Sequence, residues 1–151
     1  MPTLKEQLRA DLTTAMKARD ETRTRTLRMA LTSISTEEVS GSAAHDLTED
    51  EIVKILTREA KRRREAAAAF AEAGREGQAA AELAEERVLA DYLPAQLDDD
   101  ELAALVAAAI AETGASGPAG IGQVMKVITP RVAGRAEGSR VAAQVRSQLG
   151  S

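Results

Sequence analysis

The chain of 151 residues contains no cysteine and no tryptophan, one histidine, and two aromatic residues, Phe70 and Tyr92. Without cysteine, disulfides, thiolate metal sites and cysteine nucleophiles are excluded. The lone His45 lies in a Ser/Gly/Ala/Asp stretch. It has no serine in a recognisable elbow to activate, so no catalytic triad can be assembled around it. Sheets favour aromatic and β-branched residues, whereas this 44% hydrophobic chain takes much of its apolar content from alanine, which suits closely packed helices. No apolar run approaches the roughly 20 residues that cross a bilayer. No charged-then-apolar leader opens the chain either, so a soluble cytoplasmic protein is expected. The acidic groups Glu49-Asp-Glu51 and Asp98-Asp-Asp-Glu101 lack the alternating spacing of a calcium loop. Neither a metal nor a cofactor is expected.

A period near 3.6 recurs throughout. Leu4, Leu8, Leu12, Ala15 and Met16 form one stripe, ending near Arg19-Asp20; Leu27, Leu31 and Ile34 form a second, ending before Ser40-Gly-Ser42. Thr48-Glu-Asp-Glu51 is a capping-box pattern, and from it runs a helix of about six turns through Ile52, Ile55, Leu56, Ala60, Ala67 and Phe70. Gly74 and Gly77 bracket its end. A fourth helix carries Leu83, Val88 and Leu89 until Pro94. Asp98 to Glu101 is a second capping box, opening a fifth helix with Leu102, Leu105, Val106, Ala109 and Ile110. A sixth carries Ile121, Val124, Met125 and Ile128 until Pro130; a seventh carries Val141, Val145 and Leu149. The expected fold is all-α: an N-terminal bundle of about four helices over 1–94 and a three-helix module over 95–151, with Tyr92-Leu93-Pro94 packing at the joint.

The net charge is −4, yet from Gly120 to the C-terminus Lys126, Arg131, Arg135, Arg140 and Arg146 oppose only Glu137. A local basic excess on an acidic chain points to a polyanionic partner. Amides at the start of the sixth helix favour an anion, and Gly120, Gly122, Gly134 and Gly138 would allow close backbone approach. This Gly-x-Gly follows no strand, which excludes a dinucleotide fingerprint. On the long third helix, Lys54, Arg58, Lys61 and Arg62 share one face opposite the apolar stripe and would form a second basic ridge. Arg19, Arg23, Arg25 and Arg28 form a weaker basic stretch.

Taken in order, Ala15-Met-Lys-Ala18, Thr26-Leu-Arg-Met29, Leu47-Thr48, Lys61-Arg-Arg-Arg64, Ala73-Gly-Arg75, Tyr92-Leu-Pro-Ala-Gln-Leu97, Gly122-Gln-Val-Met125 and Gly134-Arg-Ala-Glu-Gly138 carry a family pattern. The chain resembles the standalone GatB/YqeY-domain proteins over essentially its whole length. Two positions depart from that pattern: Gly120 stands where an acidic residue is common, and Glu137 where aspartate is usual. The same domain forms the C-terminal tail of the GatB component of the aspartyl/glutamyl-tRNA amidotransferase. The resemblance therefore implies a helical tRNA-holding module and a family-level association with carbon–nitrogen ligation using glutamine as amido donor. The kinase-like and amidase portions of that enzyme are not present in this sequence. The resulting expectation is a non-catalytic tRNA- or RNA-binding accessory protein, with amidotransferase subunits as further partners. Its phosphate contacts would be Lys126, Arg131, Arg135 and Arg140, joined by Lys61 and Arg62. The alternative is a protein-interaction module for a helical partner, without nucleic acid.

Overall fold

The computed structural model describes residues 1–150, and its regular elements are helical. They run α1 Leu4–Lys17, α2 Glu21–Glu38, α3 Glu49–Glu72, α4 Glu76–Ala90, α5 Asp99–Thr113, α6 Ile121–Val132 and α7 Gly138–Leu149, with a short 3₁₀ turn Pro118–Gly120 before α6. Both expected capping boxes form. The Thr48 hydroxyl accepts the Glu51 amide while the Glu51 carboxylate accepts the Thr48 amide, and Asp98 and Glu101 do the same for α5. A third box, Thr3 with Glu6, starts α1. These side chains satisfy amides that have no partner inside a helix.

The chain divides into two compact units, Met1–Leu93 and a second beginning at Pro94. In the first, α3 and α4 pair lengthwise and α1 and α2 form a hairpin. Leu8, Leu27, Ile34, Leu56 and Leu89 are sealed at its centre, with Ile52, Ile55, Ala30, Ala60 and Val88 around them. Each such leucine or isoleucine contributes about 1.5–3 kcal/mol by leaving water. In the second unit α5, α6 and α7 enclose Leu102, Val106, Val124, Ile128, Val132, Val141 and Val145, with Leu97 and Ala136 closing one end. The two cores share no residue.

One expectation is corrected. The sixth helix does not stop at Pro130 but passes through it to Val132, since Ile128 and Val132 are both buried and hold the last turn on the core. Tyr92 and Leu93, expected at the joint, are the last residues of the first unit and pack against its core. There the Tyr92 hydroxyl donates to the Asp11 carboxylate of α1.

The α1–α2 turn is closed by a left-handed residue. Arg19 has φ +58°, in the left-handed region that favours glycine. Its amide donates to the Met16 carbonyl at 3.2 Å and the Asp20 amide to that of Ala15 at 3.0 Å. Asp20 then caps α2 by accepting the Arg23 amide at 3.0 Å.

Candidate nucleic-acid interface

α3 has two distinct faces. One carries the core residues Ile52, Ile55, Leu56 and Ala60. The other carries Lys54, Arg58, Lys61 and Arg62, all exposed, as the helical period requires. Among the described residues Lys54 and Arg58 have no hydrogen bond or ion pair. Lys61 stands 3.9 Å from Glu65, and Arg62 3.4 Å from Glu59. Pairs with so exposed a cation contribute about 1 kcal/mol at most.

The next two arginines of the run leave this face. Arg63 is nearly buried, with Nε 3.2 Å from Glu85 and 3.8 Å from Glu82, and a terminal nitrogen 3.8 Å from Glu59. Arg64 lies 3.1 Å from Glu86. Together they tie α3 to α4. The Ser33 hydroxyl donates to Glu59 and Arg25 donates to Glu85, which brings α2 into the same network. Buried Glu59 and Glu85 are thus compensated from several sides, as a carboxylate removed from water requires. In the Arg19 to Arg28 stretch, Arg23 pairs with Asp91 and Arg25 with Glu85, while Arg19 and Arg28 stay exposed.

In the second unit the basic residues have more structural work than their sequence suggests. The segments Pro94-Ala-Gln-Leu97 and Gly134-Arg-Ala-Glu-Gly138 lie against each other. The Leu97 amide donates to the Arg135 carbonyl at 2.8 Å, Arg135 Nε donates to the Ala95 carbonyl at 2.9 Å, and the Gln96 amide group reaches the Gly134 carbonyl at 3.5 Å. Arg140 donates to the Leu97 carbonyl at 3.1 Å and to Asp99 at 2.9 Å. Gly134 makes the turn possible: it has φ +77° directly after Ala133 at φ +49°, two left-handed residues in succession. Arg131 holds Glu112 with both terminal nitrogens. That two-pronged bond keeps the Glu112 carboxyl below its ordinary range and raises the Arg131 guanidinium.

Lys126 alone of the four expected C-terminal cations is exposed without a partner among the described residues. The unit as a whole is not cationic. From Pro94 onward its five Lys and Arg residues face six carboxylates, because α5 brings Asp98, Asp99, Asp100 and Glu101.

The glycines divide by role. A Cβ on Gly120 would lie 2.7 Å from the Ala115 Cβ, so this glycine serves loop packing. Gly122 and Gly138 face open space. Glu137 occupies the N-cap of α7 without a side-chain capping bond, as its length over aspartate would produce.

His45 lines a groove of about 240 Å³ between the 40–47 loop and α3, beside Glu37, Lys54 and Arg58. Among the described residues no group of three or more His, Asp or Glu side chains could hold a metal ion. No single helix is long and apolar enough to cross a membrane. Among the described residues Tyr92 is shifted furthest, its hydroxyl pushed well above 10 by burial and then by its bond to Asp11. A phenol held neutral in this way anchors α1 to the end of α4.

Among curated proteins no match is found. The family model described as Yqey-like protein matches residues 5–149. With so nearly complete a match, the chain belongs to the YqeY-like family.

Proposed function

We propose that the chain is a non-catalytic accessory protein that binds structured RNA, tRNA being the class to which the family resemblance points. The observation that carries this reading is the α3 ridge, where four exposed cations follow one helical face and two of them, Lys54 and Arg58, make no ion pair among the described residues. Lys126 supplies a separate contact on the second unit, and Arg135 retains its terminal nitrogens for an outside phosphate. Such contacts position an RNA by shape and backbone and do not read its bases. The scarcity of aromatic side chains favours folded RNA over single strands, whose binding relies on stacking. Relation to glutamine-dependent tRNA amidation belongs to the same proposal, with this protein as the tRNA-holding part and the chemistry performed elsewhere.

The test is binding to total tRNA across a salt series, with K54E/R58E and K126E beside the wild type. The ridge variant is expected to lose most of its affinity. Its plot of log K against log salt should be shallower by about 1.4–1.8, which is two phosphate contacts at roughly 0.7–0.9 each. Unchanged affinity and slope in K54E/R58E would remove the ridge from the interface. No binding at low salt would retire RNA altogether and leave a partner protein as the reading.

A further inference from the structure

The groove of about 240 Å³ between the 40–47 loop and α3 holds charges of both signs that do not satisfy one another. Lys54 and Arg58 line it one helical turn apart, with Cβ atoms about 5–6 Å from each other, close enough for one carboxylate to reach both. Glu37, in the last turn of α2, lines it as well. None of these three side chains has a hydrogen bond or ion pair among the described residues. Glu51 also borders the groove, but one of its oxygens accepts the Thr48 amide at 2.8 Å. Leu47 and the buried Ile55 give the groove an apolar part, and both pack on the core of the first unit. The loop itself is tied to α2: the His45 amide donates to the Glu38 carbonyl at 3.0 Å, and the Ser40 hydroxyl to that of Glu37 at 2.9 Å.

We infer that this groove binds a free α-amino acid as its zwitterion. The ligand carboxylate lies between Lys54 and Arg58, its ammonium meets Glu37, and an aliphatic side chain covers Leu47 and Ile55. The two cations of the groove are balanced by the carboxylates of Glu37 and Glu51, which suits a ligand that is neutral overall yet charged at both ends. A phosphate dianion would meet those two carboxylates, and a wholly apolar ligand would leave the charges unpaired. The volume falls below the roughly 300–1,000 Å³ of sites for drug-sized ligands, so the occupant is small. The inference stands apart from the RNA reading: an amino acid and an RNA phosphate would compete for Lys54 and Arg58, but neither needs the other.

Titration of the full chain with L-leucine, followed by backbone amide shifts in NMR and without RNA, tests this. Saturable shifts are expected within residues 37–58, with a Kd of about 1 mM, as for a ligand of few atoms in an open groove. Two analogues separate the charges. 4-Methylpentanoate lacks the ammonium and L-leucinol lacks the carboxylate, and each should bind about fivefold more weakly, the upper end for one exposed ion pair. Glu37→Gln should weaken leucine by about the same factor and leave 4-methylpentanoate unchanged, which assigns the ammonium contact. K54Q/R58Q should weaken leucine about tenfold or more, with the wild-type helix content by circular dichroism. The inference is overturned if leucine gives no saturable shift up to about 20 mM. It is equally overturned if 4-methylpentanoate binds as tightly as leucine, or if Glu37→Gln binds leucine like the wild type. With no RNA present, the result is independent of whether tRNA binds.

Discussion

At the scale of single residues, glycines that look alike in sequence have opposite roles. Gly120 and Gly122 are two positions apart, and both suggest an open approach for a ligand backbone. The structure gives Gly120 a packing function, because a Cβ there would meet the Ala115 Cβ at 2.7 Å. Gly122 lies inside α6 with open space around its Cα. Gly120→Ala is therefore expected to destabilise the second unit by about 1–3 kcal/mol, the usual cost of overpacking. Gly122→Ala should stabilise it by about 0.5–1 kcal/mol through helix propensity. Urea unfolding of both variants followed by circular dichroism checks the pair; equal effects would remove the packing argument. The same contrast governs the cations. Arg63 and Lys61 are neighbours in one basic run, yet only the helical angle and the acids of α4 decide that Arg63 is a structural tie and Lys61 a surface charge.

At the scale of elements, caps and ties determine where helices begin and how they meet. The Thr48 and Asp98 boxes are legible in sequence because every participant lies within three residues. The tie between α1 and the end of α4 is not, since Tyr92 and Asp11 stand 81 positions apart. Tyr92→Phe is expected to cost about 2 kcal/mol, because the hydroxyl donates to a charged, half-buried carboxylate. Its pH dependence has a definite sign. The folded phenol ionises well above the unfolded value of 10, so the unfolded chain loses its proton first. The contribution is complete below pH 10 and is lost as pH rises beyond it. The stability gap between wild type and Tyr92→Phe should be constant from pH 7 to 10 and narrow at higher pH. Chemical denaturation at several pH values measures this, and a gap that widens above pH 10 would contradict the assignment.

At the scale of the molecule, two cores without a common residue imply two folding units. A fragment starting at Pro94 is expected to be helical and to melt cooperatively, since domains of about 55–65 residues commonly fold alone. Its stability depends on the entry segment. Leu97 is 4% exposed, the Ala95 and Leu97 carbonyls accept from Arg135 and Arg140, and the Gln96 side-chain amide donates to the Gly134 carbonyl. A fragment starting at Asp98 should lose at least about 2 kcal/mol from the missing leucine alone. Calorimetry of both fragments decides this, and identical melting would refute the clamp. The segments Pro94-Ala-Gln-Leu97 and Gly134-Arg-Ala-Glu-Gly138 therefore have a structural role in common: they hold the start of the second unit to its last loop.

The sequence alone determined the all-helical class, the order of the seven helices, the capping boxes and most of the buried stripes. Those follow from periodicity and from contacts within a turn, which act over a few residues. The continuation of α6 through Pro130 depended on what the core could grip beyond it. Tertiary structure also decided which cations remain available. Charge is a property of composition, but its neutralisation depends on which distant carboxylates the packing brings within about 4 Å. Arg131 and Arg140 read as a basic surface until Glu112 and Asp99 are placed beside them, whereas Arg135 gives only its Nε to the Ala95 carbonyl. Lys54 and Arg58 stay exposed on the face of α3 opposite its core stripe, while the carboxylates of α4 pair with Arg63 and Arg64.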